Sequence, residues 1–189
     1  APLAAMVQPT AMLFTIIGHA HLEFLRDRRG VLQEKASVLD TMPDDAVAFC
    51  NGDDDLLRAM TCRQRKVTFG LSAGCDVRAV DVRDLGDEGS TCTIIAGTRR
   101  IPVRISAYGQ HMVYAALEGA AVGIEYGLTD DEIIRGIAAY QPVGSRARVV
   151  RTVRYTVIDD CYNANPDSTA AALRSMATLP AGRRVAVLG

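Results

Sequence analysis

An α/β fold is predicted by three stretches of this 189-residue chain. Between Ala11 and Cys50, two short apolar runs flank a segment of helical periodicity. From Lys66 to Ser106 the texture is β throughout. Tyr155 to Ser168 reads Y-T-V-I-D-D-C-Y-N-A-N-P-D-S, a β-branched run that ends in two carboxylates, a polar loop, and a proline suited to open a helix. Strand, polar loop and helix start is the layout in which α/β proteins place ligand-binding groups, at the carboxyl end of a strand.

The elements follow in order. Ala11 to Ile17 is apolar and suits a buried strand, with Gly18-His19-Ala20-His21 as the loop after it. Val31, Lys35, Val38 and Met42 recur at steps of four, three and four, with Leu32 and Leu39 alongside, which predicts one helical face. Pro43-Asp44-Asp45 stops that helix, Ala46 to Cys50 reads as a strand, and Asn51-Gly52-Asp53-Asp54 as a turn. Val67-Thr68-Phe69, Val77 to Val82, Cys92 to Ile95 and Ile101 to Ile105 are strands, the last two flanking a hairpin at Gly97-Thr98; this section is expected to be mostly antiparallel. Met112, Val113, Ala116, Leu117, Ala120 and Ile124 form the next helical face, capped by Gly127. Thr129-Asp130-Asp131-Glu132 is a capping box before Ile133, Ile134 and Ile137. Pro142 and Gly144 break the pattern, so a domain boundary falls between residues 1–143 and 144–189. Asn165 is an N-cap with Pro166 at the first helical position, and that helix runs to about Thr178. Val185 to Gly189 reads as a further strand. A lone parallel-type strand cannot complete a sheet, and residue 1 is Ala, so the chain is expected to be an internal piece of a longer protein.

Composition narrows the function. Half of the residues are hydrophobic (49%), enough for a real core. Lys plus Arg (21) nearly cancels Asp plus Glu (22), and there is no Trp, which argues against nucleic acid or an anionic membrane as partner. Pro9 interrupts the apolar start and no basic residue precedes it, so neither a signal peptide nor a membrane span is read there. The five cysteines include no C-x-x-C pair and are read as reduced thiols.

By spacing alone, Lys35 is a snorkelling lysine, His21 a loop or core histidine, and Arg146 a surface arginine. A resemblance changes these readings. D-D-x-Y-N-A-N-P at Asp159–Pro166 closely resembles the start of the C-terminal domain in Mur ligases, the ATP-dependent enzymes that add amino acids to the peptidoglycan precursor. Ala20-His21-Leu22-Glu23 followed by Lys35 matches the family's A-H-L-E and its downstream lysine without a gap. Pro43 to Asp54 and Arg183 to Gly189 are smaller echoes, so the likeness runs nearly end to end.

The resemblance implies part of a central ATPase domain, with a mixed sheet, then the start of a Rossmann-like C-terminal domain. It implies that Lys35 and His21 are catalytic, Lys35 as a carbamate and His21 in contact with Mg²⁺. Carbamylation needs an unprotonated amine, which partial burial favours, and its product is a carboxylate-like anion suited to a hard metal ion. Glu23 binds the metal directly, through water, or caps the next helix. Gly109-Gln110-His111 resembles the family's G-x-H-N-x-x-N, with Met112 and Ala115 at the two asparagine places, leaving His111 as a nucleotide contact. Ser145-Arg146 resembles the family's G-R pair and implies that Arg146 binds ATP. Asn163 is then the preferred nucleotide contact, with Tyr162 and Asp160 also placed among the nucleotide-binding residues, and Asp160 either orients the loop or approaches the substrate amine. Cofactors are ATP and Mg²⁺. The Y-N-A-N form points to the branch that joins D-alanyl-D-alanine to UDP-N-acetylmuramoyl-tripeptide, working as a cytoplasmic monomer. Alternatives are another Mur-type or folylpolyglutamate-like ligase, or a non-catalytic binding module. No G-x-x-G-K-[ST] phosphate loop occurs in these residues, so the piece alone is expected to be inactive.

Overall fold

The computed structural model describes residues 2–18 and 26–188. After a short helix α1 (Pro2–Val7), the order is β1 (Ala11–Phe14), α2 (Arg28–Ala36), a 3-10 turn (Ser37–Thr41), β2 (Val47–Asn51), α3 (Asp55–Ala59), β3 (Arg65–Gly70) and β4 (Val77–Asp84). A second 3-10 turn (Gly86–Glu88) precedes β5 (Ser90–Ala96), β6 (Arg99–Ile105), α4 (Met112–Glu125) and α5 (Asp130–Ala139). The chain closes with β7 (Arg148–Arg151), β8 (Thr156–Asp159) and α6 (Pro166–Thr178). β1 to β6 form one mixed sheet in sequential order, and β7 with β8 a separate antiparallel pair.

The class is α/β, and the sheet has apolar packing on both faces. Every residue of β2 is buried, because its two faces meet different layers. Val47 and Phe49 join Phe69, Ile94, Ile101, Leu117 and Ile133 under α4 and α5. Ala48 and Cys50 join Phe14, Val31, Leu39, Met42 and Leu57 under α2 and α3. A strand covered on both sides reads as a continuous apolar run. α4 runs antiparallel to β3. Its first turn meets Asp53 beyond β2 through Tyr114, and its last pairs Glu125 with Arg65 at the start of β3.

Local signals match the structure closely. Asn165 accepts a hydrogen bond from the Ser168 N–H at 2.9 Å, with Pro166 at the first helical position. Thr129 and Glu132 form the capping box of α5. Gly127, at φ +78°, ends α4: its N–H donates to the Ile124 carbonyl and the Leu128 N–H to that of Gly123, the doubly bonded left-handed cap that glycine permits.

Three expectations are corrected, while the β section is mostly antiparallel as expected: β4, β5 and β6 alternate in direction, and within it only β3 pairs in parallel, with β4 as it does with β2. β propensity carries no direction; the α3 crossover returns the chain to the end from which β2 began. β1 stops at Phe14 rather than Ile17. Past it, the Asn51 side chain donates to the Thr15 carbonyl and the Ile17 N–H goes to Asp54, so side chains replace the ladder. The Val31–Met42 helix tightens to a 3-10 turn after Ala36, which brings Leu39 and Met42 into the core with Val31, and Lys35, before the tightening, is exposed rather than part of the stripe. Residues 185–188 are exposed and form no strand, since none of the sheets offers them a ladder partner.

Candidate functional site

The parallel strands end at one edge, and the loops there are held by a few side chains. Asp54 is the hub. One carboxylate oxygen accepts from the Leu56 and Leu57 N–H groups (3.0 and 2.9 Å), capping α3; the other accepts from the Ile17 N–H at 2.9 Å and from Arg28 at 3.3 Å. Arg28 also donates through Nε to the Ile17 carbonyl at 2.7 Å and to Asp55 at 2.7 Å. Lys35 Nζ donates to the Ile16 carbonyl at 3.2 Å. The segment Thr15–Gly18, which leads toward His21, is therefore fastened from α2, β2 and the start of α3. Next to it, Asp53 accepts from the Leu71 and Ser72 N–H groups and from the Tyr114 hydroxyl. Burial pushes the Asp53 carboxyl up, but hydrogen bonds from Ser72, Leu71 and Tyr114 outweigh it and hold its pKa below the ordinary carboxylate value.

A second group of residues lies where β8 gives way to α6. Ser145 Oγ donates to Asp159 at 2.8 Å, the Tyr162 N–H to the Ser145 carbonyl at 3.2 Å, and the Ala147 N–H to Asp160 at 3.0 Å. The Arg146 guanidinium lies 4.0 Å from the centre of the Tyr162 ring. Asp159 also accepts from the Cys161 thiol, and the bonds from Cys161 and Ser145 lower its pKa. Ala147 takes a left-handed φ of +50°, unusual for a residue with a Cβ. Asn163 accepts from the Ala164 N–H at 2.9 Å.

The two groups meet. A Cβ built on Gly18 would lie 3.1 Å from Asp167 Oδ2, in the first turn of α6. One on Gly109, at φ +102°, would run into the His111 ring at 2.5 Å and lie 3.5 Å from Ser175 Oγ on α6. Desolvation lowers the His111 pKa, although the residue stays exposed at the head of α4, and the Asp160 charge acts against that shift. Beyond the site, Leu179 packs with Tyr108, Ala147, Val149 and Ile158, and Arg151 pairs with Asp87 at 2.8 Å.

Of the expected site residues, Arg146, Asp160 and Tyr162 come together directly, and His111 lies near Asp160. Lys35 is fastened to the same loop edge, one carbonyl removed from Gly18's neighbour. His21 and Glu23 lie outside the described residues. Among the described residues no cluster of three or more His, Cys, Asp or Glu is arranged to hold a metal. Met112 and Ala115 line a half-open apolar pocket of about 270 Å³ between α4 and α5, together with Gly119, Ile133 and Tyr140, to which β7, β8 and α6 contribute nothing. Sequence reasoning treated Asn51–Asp54 as a plain turn and missed Asp54 and Arg28; an Asp just before D-L-L-R was a legible N-cap signal, while its bond to Ile17 was not.

Comparison with known proteins identifies the family and the fold. The Mur ligase middle domain matches residues 1–123, and the Mur ligase glutamate ligase domain matches residues 145–189. A UDP-N-acetylmuramoyl-tripeptide–D-alanyl-D-alanine ligase of Bacillus subtilis is 30% identical over 192 residues, which take in 99% of this chain and 40% of that protein. Its counterpart in Mycobacterium bovis is 34% identical over 182 residues, 94% of this chain and 36% of that one. Among solved structures, MurF of Acinetobacter baumannii superposes with a TM-score of 0.86 at 25% identity, over 94% of this chain and 39% of that one. MurF of Thermotoga maritima in complex with ADP shares the fold at a TM-score of 0.82 and 23% identity, over 94% of this chain and 41% of that one. The chain thus spans about 40% of the length of the relatives it matches. With both family models placed along it, and with the loop edge and the β8–α6 turn facing each other as described, the chain belongs to the Mur ligase family.

Proposed function

We propose that these residues form the part of an ATP-dependent carboxylate–amine ligase in which a lysine-bearing loop edge faces a nucleotide-binding turn. Residues 1–143 serve as central domain and 144–189 open the C-terminal one. The reaction joins D-alanyl-D-alanine to UDP-N-acetylmuramoyl-tripeptide: the terminal carboxylate takes the γ-phosphoryl group of ATP, the amine attacks the acyl phosphate, and an amide, ADP and phosphate result. Such chemistry depends on positioning and on cations that offset charge on phosphate. The protein acts in the cytoplasm as a monomer; among the described residues no helix is long and apolar enough to cross a membrane.

The observation that carries this reading is the approach of Gly18 to Asp167. It supports a reading in which the strand edge that carries Lys35, through Ile16, lies near the start of α6, which follows the Asn163 loop. In this arrangement Arg146 offers a planar fork of donors to phosphate. Asn163 and His111 approach the nucleotide from the two sides of the gap, and Asp160 holds the Ala147 backbone in place. His21, Glu23 and a carbamylated Lys35 are the groups that would hold Mg²⁺, and their oxygen-rich donor set suits that ion. When bound, Mg²⁺ neutralises charge on the transferred phosphoryl group. The Lys35 amine is exposed and donates one hydrogen bond to the Ile16 carbonyl, so the carbamate reading rests on the family resemblance and not on the partial burial expected from the sequence.

The apolar cavity at Met112 and Ala115 favours a second reading, a nucleotide-free binding module. One assay separates them. The protein carrying this chain with its upstream coding sequence is incubated with ATP, Mg²⁺ and both substrates. The ligase reading requires ADP release that needs both substrates and a product with the mass of the joined peptide. Absence of ADP release from a folded protein would refute it.

A further inference from the structure

Segments 145–147 and 159–162 are joined by four contacts: Ser145 Oγ to Asp159, the Tyr162 N–H to the Ser145 carbonyl, the Ala147 N–H to Asp160, and Arg146 over the Tyr162 ring. Three of these are hydrogen bonds that set the backbone on either side of Arg146. The fourth acts on the side chain itself. Tyr162 is 68% exposed, so core packing does not account for a large aromatic there. Its ring instead lies beneath the Arg146 guanidinium, whose central carbon is 4.0 Å from the ring centre. A guanidinium stacked by its face keeps its N–H donors in the plane, free at the edge, and loses the rotamer freedom that a surface arginine otherwise has. Ser145 adds a side-chain bond that glycine, the residue the related motif carries, cannot make.

We propose that Tyr162 is a positioning residue that works through Arg146: its ring fixes the guanidinium plane so that the free edge meets the phosphates of the nucleotide, with the Ser145–Asp159 bond holding the support in register. This rests on the nucleotide reading of Arg146 above, and it assigns Tyr162 no contact with the nucleotide.

The test uses the full-length protein carrying this chain, with Tyr162→Phe, Tyr162→Leu, Arg146→Ala and the Arg146→Ala/Tyr162→Leu double variant. Two readouts are taken: the Arg146 side-chain N–H resonance by NMR without nucleotide, and ADP affinity by calorimetry. Phenylalanine keeps the ring, so Tyr162→Phe retains the ring-shifted Arg146 resonance and binds ADP within about twofold of the parent. Tyr162→Leu loses the ring shift and weakens ADP about three- to tenfold. In the Arg146→Ala background the same leucine change costs nothing further. Equal losses in Tyr162→Phe and Tyr162→Leu, or a full leucine effect without Arg146, would overturn the proposal by making Tyr162 a direct contact. An unshifted Arg146 resonance in the parent would overturn it as well. If the parent binds no ADP while the ring shift is present, the nucleotide reading fails and the stacked pair stands.

Discussion

Replacing Asp54 is the sharpest way to probe how the loop edge is built. Its carboxylate is almost wholly buried and serves two masters: one oxygen caps α3 through the Leu56 and Leu57 N–H groups, the other holds the Ile17 N–H. Losing an aspartate cap costs about 1 kcal/mol. Leaving the Ile17 N–H unpaired costs about 1–3 kcal/mol, since Ile17 is 1% exposed and water cannot take over. Arg28 keeps its exposed partner Asp55, so the ion pair adds little. Asp54→Ala is therefore expected to lose about 2–4 kcal/mol. With a urea slope of about 2 kcal/mol per molar, the midpoint falls by about 1–2 M. Asp54→Asn separates the two roles. An amide presents one acceptor and one donor, so whichever way it turns it satisfies the cap or Ile17 but not both, and its loss falls between those of wild type and alanine. Hydrogen exchange at the Ile17 amide rises in the alanine variant, and in the asparagine variant it reports which of the two sets of N–H groups the amide oxygen serves. A loss under about 1 kcal/mol for alanine, or an asparagine variant as stable as wild type, would refute the account.

Other expectations follow from single features. Gly89→Ala places a Cβ 1.9 Å from the Ile105 carbonyl oxygen at φ +94°, so unfolding measurements should show a loss of about 3 kcal/mol or more; a neutral result contradicts the packing of the β5 and β6 ends. Leu179→Ala removes a buried plug against Tyr108 and Ala147, costing about 2–4 kcal/mol and speeding limited proteolysis in 140–146. Burial pushes the Glu118 carboxyl up to about 7 from an ordinary 4.5. The folded chain thus holds that proton more tightly than the unfolded one, and stability from this group rises as pH falls from about 7 toward 4.5. Glu118→Gln should raise the melting temperature at pH 8 and leave it nearly unchanged near pH 4.5; an equal effect at both pH values contradicts this. Lys35→Ala in the full-length protein should abolish most ligase turnover, about 100-fold or more, yet change stability by less than about 0.5 kcal/mol because the side chain is exposed.

What was legible in the sequence is what local chemistry settles. Asn165-Pro166, Thr129 with Glu132, and Gly127 bond within a few residues of themselves, so the pattern names the helix end directly. The apolar run of β2 was likewise legible, because burial on both faces leaves no polar position. The site motifs were legible as residues in a pattern, without their mutual placement.

Tertiary structure decided the rest. The direction of β3 depends on a crossover and on which edges remain to be paired, neither of which is encoded in its six residues. The burial of Leu39 and Met42 follows from a helix that tightens after Ala36, and no count of four-residue steps anticipates that tightening or the exposure of Lys35 before it. The bond from Ile17 to Asp54, the pair Arg151–Asp87 and the approach of Gly18 to Asp167 join residues far apart in the chain. Such contacts form only once the layers have packed, because closing a long loop costs entropy that only the assembled core offsets. The motif residues belong to the sequence; the gap between them belongs to the fold.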